Sequence, residues 1–131
     1  MNIIETCNLT HLYRGKIKAL DGINFKAKPG ERIAIIGANG AGKSTLFKHF
    51  NGILKPTGGE VLIKGEPISN KNILDVRRTV GVVFQDPDDQ IFAPTVKQDV
   101  AFGPMNLGLS PEEIEKRVRE SLETVRLTGF E

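Results

Sequence analysis

The chain of 131 residues has one cysteine and no long apolar run, and both shortages narrow its class. A single thiol, Cys7, excludes an internal disulfide and is too little for a zinc cluster, so we expect a buried structural cysteine. The apolar stretches IAII and VGVVF fall far short of the roughly 20 residues that span a bilayer. Residues 1–8 lack the basic segment and apolar run of a secretory signal. These shortages predict a soluble chain in the cytoplasm whose link to any membrane goes through a partner.

Positive and negative charges nearly balance over the whole chain, since the formal net charge is only +2. Residues 1–65 hold 10 Lys and Arg against 4 Asp and Glu, whereas residues 66–131 hold 8 against 12. The first half is therefore positive and suits a small anionic ligand, although dispersed surface lysines give the same sum. Because the basic residues form no cluster, we expect no nucleic-acid partner.

The order of apolar segments predicts an α/β fold. Residues 1–30 are typical of two or three strands with exposed turns. Four consecutive apolar residues at 33–36 predict a strand buried on both faces of a parallel sheet, and VGVVF at 80–84 predicts a second. A strand in EVLIKG at 60–65 and a short helix in NILDVRRTV at 72–80 complete the first part of the chain.

Three further helices are predicted from periodicity and terminal signals. The first begins at Lys43 and stops at Asn51 and Gly52. The second covers TVKQDVAFG up to about Gly103, where Pro104 is expected to break it. The last is capped by Ser110, with Pro111 at its first position and Glu113 completing a capping box. Its apolar stripe and its end are predicted at these residues: Ile114, Val118, Leu122, Val125, Thr128 and Gly129.

The stretch GANGAGKST at 37–45 matches G-x-x-x-x-G-K-[ST] between a predicted strand and a predicted helix. In that arrangement successive N–H groups and the helix N-terminus converge on phosphates. Glycines let the backbone approach an anion closely, Lys43 is expected to reach the β- and γ-phosphates, and Ser44 to ligate Mg²⁺. Thr45 is expected to bond the α-phosphate. The predicted ligand-binding residues of the loop are Gly37, Ala38, Asn39, Gly40, Ala41, Gly42, Lys43, Ser44 and Thr45.

Two competing sites are less favoured. A dinucleotide fold needs G-x-G-x-x-G, whereas the glycines here run G-x-x-G-x-G and Lys-Ser follows at once. The acidic stretch FQDPDDQIF at 84–92 suggests a metal site, but it lacks the frame of a calcium loop. Its aspartates, Asp86, Asp88 and Asp89, are predicted to keep a loop solvated while Pro87 stiffens it. His11 and His49 are expected to have surface or packing roles.

Several ordered features make the chain resemble the nucleotide-binding domain of ABC ATPases over its whole length. They are Tyr13 before a basic turn, the loop at 37–45, the stretch ILKPTGGEVLIKGEPI, and VGVVFQDP. The resemblance implies a P-loop NTPase-like core, incomplete here, with an N-terminal antiparallel β subdomain and the start of a helical subdomain. It also implies that Tyr13 stacks on adenine and that Gln85 contacts Mg²⁺ and the attacking water. A half-buried strand tyrosine is the alternative for Tyr13.

The segments QDPDDQIF and TVKQDVAFGPMNLGLSPEEI are most similar to ATPases of energy-coupling-factor and cobalt- or nickel-type importers. In that subgroup the region after Gln85, about 91–104, accepts a helix of a transmembrane subunit. Core packing explains some of its apolar residues equally well. The resemblance thus implies ATP and Mg²⁺ as cofactors, a peripheral position at the inner face of the membrane, and a second ATPase subunit in the parent protein. The residues proposed to meet the membrane partner are Ile91, Phe92, Val100, Ala101, Phe102 and Pro104.

The family's signature motif, second acidic strand and switch histidine do not occur in residues 1–131. We therefore expect the N-terminal part of a single nucleotide-binding domain, with an incomplete catalytic site and a tendency to self-associate. Two alternatives remain: a soluble ABC-type ATPase that acts on nucleic acid or ribosomes, and a non-catalytic fragment that binds nucleotide weakly.

Overall fold

The computed structural model describes residues 1–14 and 16–131, which form two compact units, Met1–Val83 and Phe84–Glu131. The first unit contains a four-stranded sheet in the order β2-β1-β3-β4, and every neighbouring pair is antiparallel. Two helices accompany the sheet. The elements are β1 (Ile4–Tyr13), β2 (Ile17–Ala27), α1 (Lys43–Phe50), β3 (Gly58–Ile63), β4 (Glu66–Pro67) and α2 (Ile73–Thr79).

The sheet has one apolar face that packs on α1 and α2. β1 lies in the middle, with Ile4 opposite Ala27 of β2 and Ile63 of β3. Alternation along the strands puts apolar side chains on one side, where they meet the helices. The buried core consists of Leu9, Leu20, Leu46, Phe50, Val61, Ile63 and Val76. This core fixes the start of α1, and thereby the glycine loop before it, against β2.

Two predicted strands, at 33–36 and 80–84, are wrong for the described part of the chain. Both segments lie outside the strands, and Ile36 and Val83 are 94% and 91% exposed. An extended apolar run becomes a buried strand only when neighbouring strands supply its hydrogen bonds and layers cover its faces. The described sheet pairs only β1 to β4 with one another, so neither segment gains such neighbours. Apolar composition was therefore insufficient to fix these strands.

The second unit is a pair of helices with a small core of its own. A 3₁₀ turn over Pro87–Gln90 precedes α3 (Val96–Asn106) and α4 (Pro111–Thr124). Ala101, Val118 and Leu122 are buried between the helices, and Val100 and Ile114 pack against them. The predicted Ser110 cap of α4 is confirmed, because its side chain accepts a hydrogen bond from the Glu113 amide at 3.2 Å. The predicted capping box is not completed, since the Glu113 carboxylate instead accepts from Nε of Arg117 at 3.0 Å.

Two predicted helix ends are wrong. Pro104 lies inside α3, which continues to Asn106, because a proline in the last turn removes one hydrogen bond while Leu107 still donates to the Gly103 carbonyl at 3.1 Å. α4 ends at Thr124, because Arg126 adopts a left-handed φ of 60° and Leu127 donates back to the Leu122 carbonyl at 2.8 Å. Val125 is consequently 61% exposed and does not extend the apolar stripe.

Candidate functional site

The loop at 37–42 needs glycine at two positions because of backbone conformation, and at one of them also because of close packing. Gly40 and Gly42 have φ of 84° and 95°, a left-handed conformation that side chains disfavour. At Gly42 space is restricted as well, since an added Cβ would lie 2.6 Å from the carbonyl oxygen of Ala19 in β2. The loop therefore turns tightly against the sheet as it enters α1.

Helix α1 presents its N-terminus at the end of this loop. Gly42 is the N-cap, and no side chain in the described chain caps the helix. The Leu46 amide donates to the Gly42 carbonyl at 2.9 Å. The amides of a helix N-terminus carry partial positive charge and attract anions. Ser44 in the first turn is exposed, so its hydroxyl is accessible to a ligand or metal ion at this end.

The Lys43 side chain folds back over the loop that precedes it. Its ammonium group donates to the carbonyl of Ala38 at 2.9 Å and also to the carbonyl of Gly37. An ammonium has three donors on a flexible stem, so the Lys43 side chain can turn from these carbonyls to the oxygens of a phosphate bound at the loop. The sequence thus brings a positive charge to the concave side of the glycine loop.

Tyr13, at the end of β1, is brought to the first turn of α1. Its hydroxyl lies 3.0 Å from Oγ1 of Thr45, and the two residues are 37% and 9% exposed. Its ring packs against His11 in a T-shaped arrangement, with ring centroids 4.6 Å apart at an angle of 78°. The structure therefore places the predicted base-stacking residue beside the predicted phosphate loop.

Both histidines pack behind Tyr13 and Thr45. His11 and His49 are buried, with ring centroids 4.8 Å apart. Nδ1 of His49 lies 2.7 Å from the Thr45 carbonyl, and Nδ1 of His11 lies 3.2 Å from the Lys55 carbonyl. Burial lowers the pKa of His49 below its ordinary value and nearby His11 lowers it further, although the hydrogen bond with Thr45 acts in the opposite direction. The packing role expected for these residues fits their position, but their contact with the candidate site was not predicted.

Gln85 and the aspartates begin the second unit. Gln85, Asp86, Asp88 and Asp89 are exposed, and the Asp86 side chain accepts a hydrogen bond from the Asp88 amide at 3.0 Å. This bond closes the 3₁₀ turn at Pro87. Within residues 1–14 and 16–131, no three His, Cys, Asp or Glu side chains are grouped so as to hold a metal ion. The aspartates thus shape a solvated turn.

An apolar surface follows on the same unit. The rings of Phe92 and Phe102 pack edge to face with their centroids 4.4 Å apart, and the two residues are 62% and 46% exposed. Ile91 is 60% exposed. Met105, which the sequence did not single out, joins the two phenylalanines in lining an open groove of about 640 Å³. Ala101 is buried in the core between α3 and α4 and half-buried Val100 packs against it, so core packing, the alternative given for some of these residues, explains these two.

The helices of the described residues are all too short or too polar to cross a membrane.

Cys7 is a free thiol in β1 that is half-buried, whereas we expected it to be buried.

Comparison with known proteins decides the family. The family model for ABC transporters matches residues 20–131. The chain belongs to the ABC transporter family. Among ABC proteins of known structure, it is similar to cbiO1 from Clostridium perfringens, part of the ABC transporter complex cbiONQ, with 46% identity and a TM-score of 0.83. That alignment covers 98% of this chain and 52% of cbiO1. A nucleotide-free ATP-binding cassette aligns at 31% identity with a TM-score of 0.73, over 99% of this chain and 56% of that one.

Curated ABC relatives point to one subgroup. The energy-coupling factor transporter ATP-binding protein EcfA of Methanococcus maripaludis is 66% identical over 100% of this chain and 48% of its own length. EcfA1 of Methanospirillum hungatei is 65% identical over 99% of this chain and 47% of its own length. This chain thus spans about half the length of the curated relatives it matches. The predicted ABC ATPase fold and the resemblance to the energy-coupling-factor and cobalt subgroup are confirmed.

Proposed function

We propose that this chain is the ATP-binding portion of the energising ATPase subunit of an energy-coupling-factor importer. The observation that carries the proposal is the glycine loop, which leads into the uncapped N-terminus of α1 with the Lys43 ammonium over its concave side. Relatives named as transporter ATP-binding proteins support the same conclusion. The similarity to a member of the cbiONQ complex supports cobalt, nickel or another micronutrient as the transported substrate.

Different residues contact different parts of the nucleotide. Lys43 and the amides of the first turn of α1 bind the phosphates, and Thr45 adds a hydroxyl contact to the α-phosphate. Tyr13, which is 37% exposed, supplies an aromatic ring that can stack on the adenine. An anion fits here because Gly40 and Gly42 have no side chain and adopt conformations that let the loop backbone approach the anion directly.

Magnesium fits the exposed hydroxyl of Ser44, since hard cations prefer oxygen ligands. The ion would neutralise part of the triphosphate charge. We further propose that Gln85 contacts Mg²⁺ and the attacking water through its side-chain oxygen, as the family resemblance implies. A neutral amide is suited to that task because it coordinates a cation without adding a further negative charge.

A membrane partner is proposed for the second unit. Exposed Ile91, Phe92, Phe102 and Met105 form an apolar surface of the kind that accepts an amphipathic helix. We propose that a transmembrane subunit binds there and holds the protein at the inner face of the membrane. We also propose that residues 1–131 form the N-terminal part of a single nucleotide-binding domain, and that this domain works with a second ATPase subunit.

Mg-ATP is expected to raise the melting temperature of this chain. A ligand that binds the native state alone adds about 2.7 kcal/mol of stability at a hundredfold excess over its dissociation constant. The measurement is a thermal melt with and without millimolar Mg-ATP, with magnesium chloride plus sodium chloride as the ionic-strength control. An unchanged melting temperature would count against a formed nucleotide site.

The chain alone is expected to bind ATP without turning it over. Phosphoryl transfer needs a positioned nucleophile and neutralised charge as well as a phosphate cradle, and the family's activating glutamate and signature motif do not occur in this sequence. Phosphate release should therefore match that of a Lys43→Ala preparation made in parallel. Hydrolysis that follows the wild-type protein through purification and is lost in Lys43→Ala would show that these residues suffice.

A further inference from the structure

The Tyr13 hydroxyl joins two parts of the candidate site that are 32 residues apart in sequence. It lies 3.0 Å from Oγ1 of Thr45, and either oxygen is able to donate this hydrogen bond. Thr45 is only 9% exposed, so its hydroxyl has few alternative partners in solvent. Stacking on a base explains the ring of Tyr13 but does not require its hydroxyl.

Proton counting fixes the direction of this bond once a phosphate is present. A threonine hydroxyl has one proton to donate and two lone pairs that accept. If Thr45 donates its proton to a phosphate oxygen, which has none to offer, the bond to Tyr13 persists only when Tyr13 is the donor. The chain of donors then runs from the Tyr13 O–H to Thr45, and from the Thr45 O–H to phosphate.

We propose that the Tyr13 hydroxyl is a positioning group for phosphate binding, in addition to the role of the Tyr13 ring at the base. By donating to Oγ1, it turns the Thr45 proton toward the phosphates and polarises the hydroxyl, which strengthens the bond that Thr45 donates. This inference rests on the proposed function, since it assumes that the loop binds nucleoside triphosphates.

The surrounding side chains hold this bond in place before any ligand binds. The Tyr13 ring packs against His11 in a T-shaped arrangement, with ring centroids 4.6 Å apart. The backbone of Thr45 is held through its carbonyl by His49 at 2.7 Å, and the two imidazoles pack on each other at 4.8 Å. Because both ends are fixed by one buried pair, little conformational freedom remains to be lost when the phosphate arrives.

Inorganic tripolyphosphate separates this role from stacking, because it has phosphates but no base. Binding of Mg-tripolyphosphate and of Mg-ATP is measured by calorimetry for the wild type and Tyr13→Phe, which keeps the ring and removes one oxygen. We expect Tyr13→Phe to weaken both ligands by about fivefold, the effect of one neutral hydrogen bond. A tyrosine that only stacks, or that only supports the fold, leaves tripolyphosphate affinity unchanged, and this result would overturn the proposal.

A second pair of variants tests whether the effect passes through Thr45. In a Thr45→Val background the hydroxyl relay is already broken, so adding Tyr13→Phe should have no further effect on tripolyphosphate binding. An equal loss in both backgrounds would refute the relay. If the wild type binds neither tripolyphosphate nor ATP, the proposed function itself fails and the relay fails with it. Binding by the wild type with no effect of Tyr13→Phe overturns the relay alone.

Discussion

Replacing Lys43 with alanine is expected to weaken Mg-ATP binding by about 10- to 100-fold, which corresponds to the loss of a hydrogen-bonded charge worth roughly 1.5 to 3 kcal/mol. The ammonium already lies over the glycine loop, 2.9 Å from the Ala38 carbonyl, so it needs little movement to meet phosphate oxygens there. No other side chain in the described part of the chain donates to these loop carbonyls. Calorimetric titration with Mg-ATP measures the effect.

Lys48 provides a matched control on the same helix. It lies in the last turn of α1, whereas Lys43 lies in the first, so Lys48→Ala removes an equal charge at the other end. We expect Lys48→Ala to bind Mg-ATP within about twofold of the wild type, since in the described residues its half-buried side chain makes no hydrogen bond to the glycine loop, unlike that of Lys43. Equal losses in the two variants would indicate a general field effect, and an unchanged affinity of Lys43→Ala would contradict its role in the loop.

Local signals in the sequence predicted the parts of the structure that depend on near neighbours. The start of α1 at Lys43, its end at Asn51 and the cap of α4 at Ser110 are each specified by backbone and side-chain contacts within about four residues. The motif at 37–45 was found for the same reason, because its glycines act on their own backbone. Such features survive in any tertiary context that tolerates the helix.

The predicted strands at 33–36 and 80–84 failed because burial is not a local property. Their apolar residues are suited to a parallel sheet, but such a strand also needs partners on both edges and layers on both faces. The same limit explains why the sequence leaves both a partner surface and core packing open for Val100 and Ala101: only the packing of α4 on α3 shows that Ala101 is buried and that Val100 packs against it. Apolar periodicity identified the helix but not the direction that each side chain faces.

Contacts between distant residues could not be found from spacing. The hydrogen bond between Tyr13 and Thr45, and the packing of His11 on His49, join β1 to α1 through the fold of the sheet. A histidine at position 49 has an ordinary helical context in sequence. Its bond to the Thr45 carbonyl lies within one turn of α1, whereas its contact with His11 becomes visible only when α1 packs on the sheet.

Gly59→Ala is expected to destabilise the fold by about 2 to 5 kcal/mol. Gly59 has a φ of 73°, and an added Cβ would overlap the backbone carbonyls of Cys7 and Asn8 in the neighbouring strand. It lies where the pairing of β1 with β3 shifts register between Cys7 and Thr10. Left-handed strain of about 1 to 2 kcal/mol therefore adds to a forced backbone shift of about 1 to 3 kcal/mol. Chemical denaturation of the variant and the wild type measures the difference.

Gly65→Ala separates the two contributions. Gly65, in the turn between β3 and β4, has a similar φ of 83°, but nothing lies within 4 Å of the position that its Cβ would occupy. Its substitution should cost about 1 to 2 kcal/mol from backbone strain alone. If both variants lose the same stability, β1 yields to the new methyl group and the register shift beside Gly59 is not a tight constraint. A larger loss for Gly59→Ala would establish that the close approach of two backbones requires glycine there, where β3 is held to the central strand that ends at Tyr13.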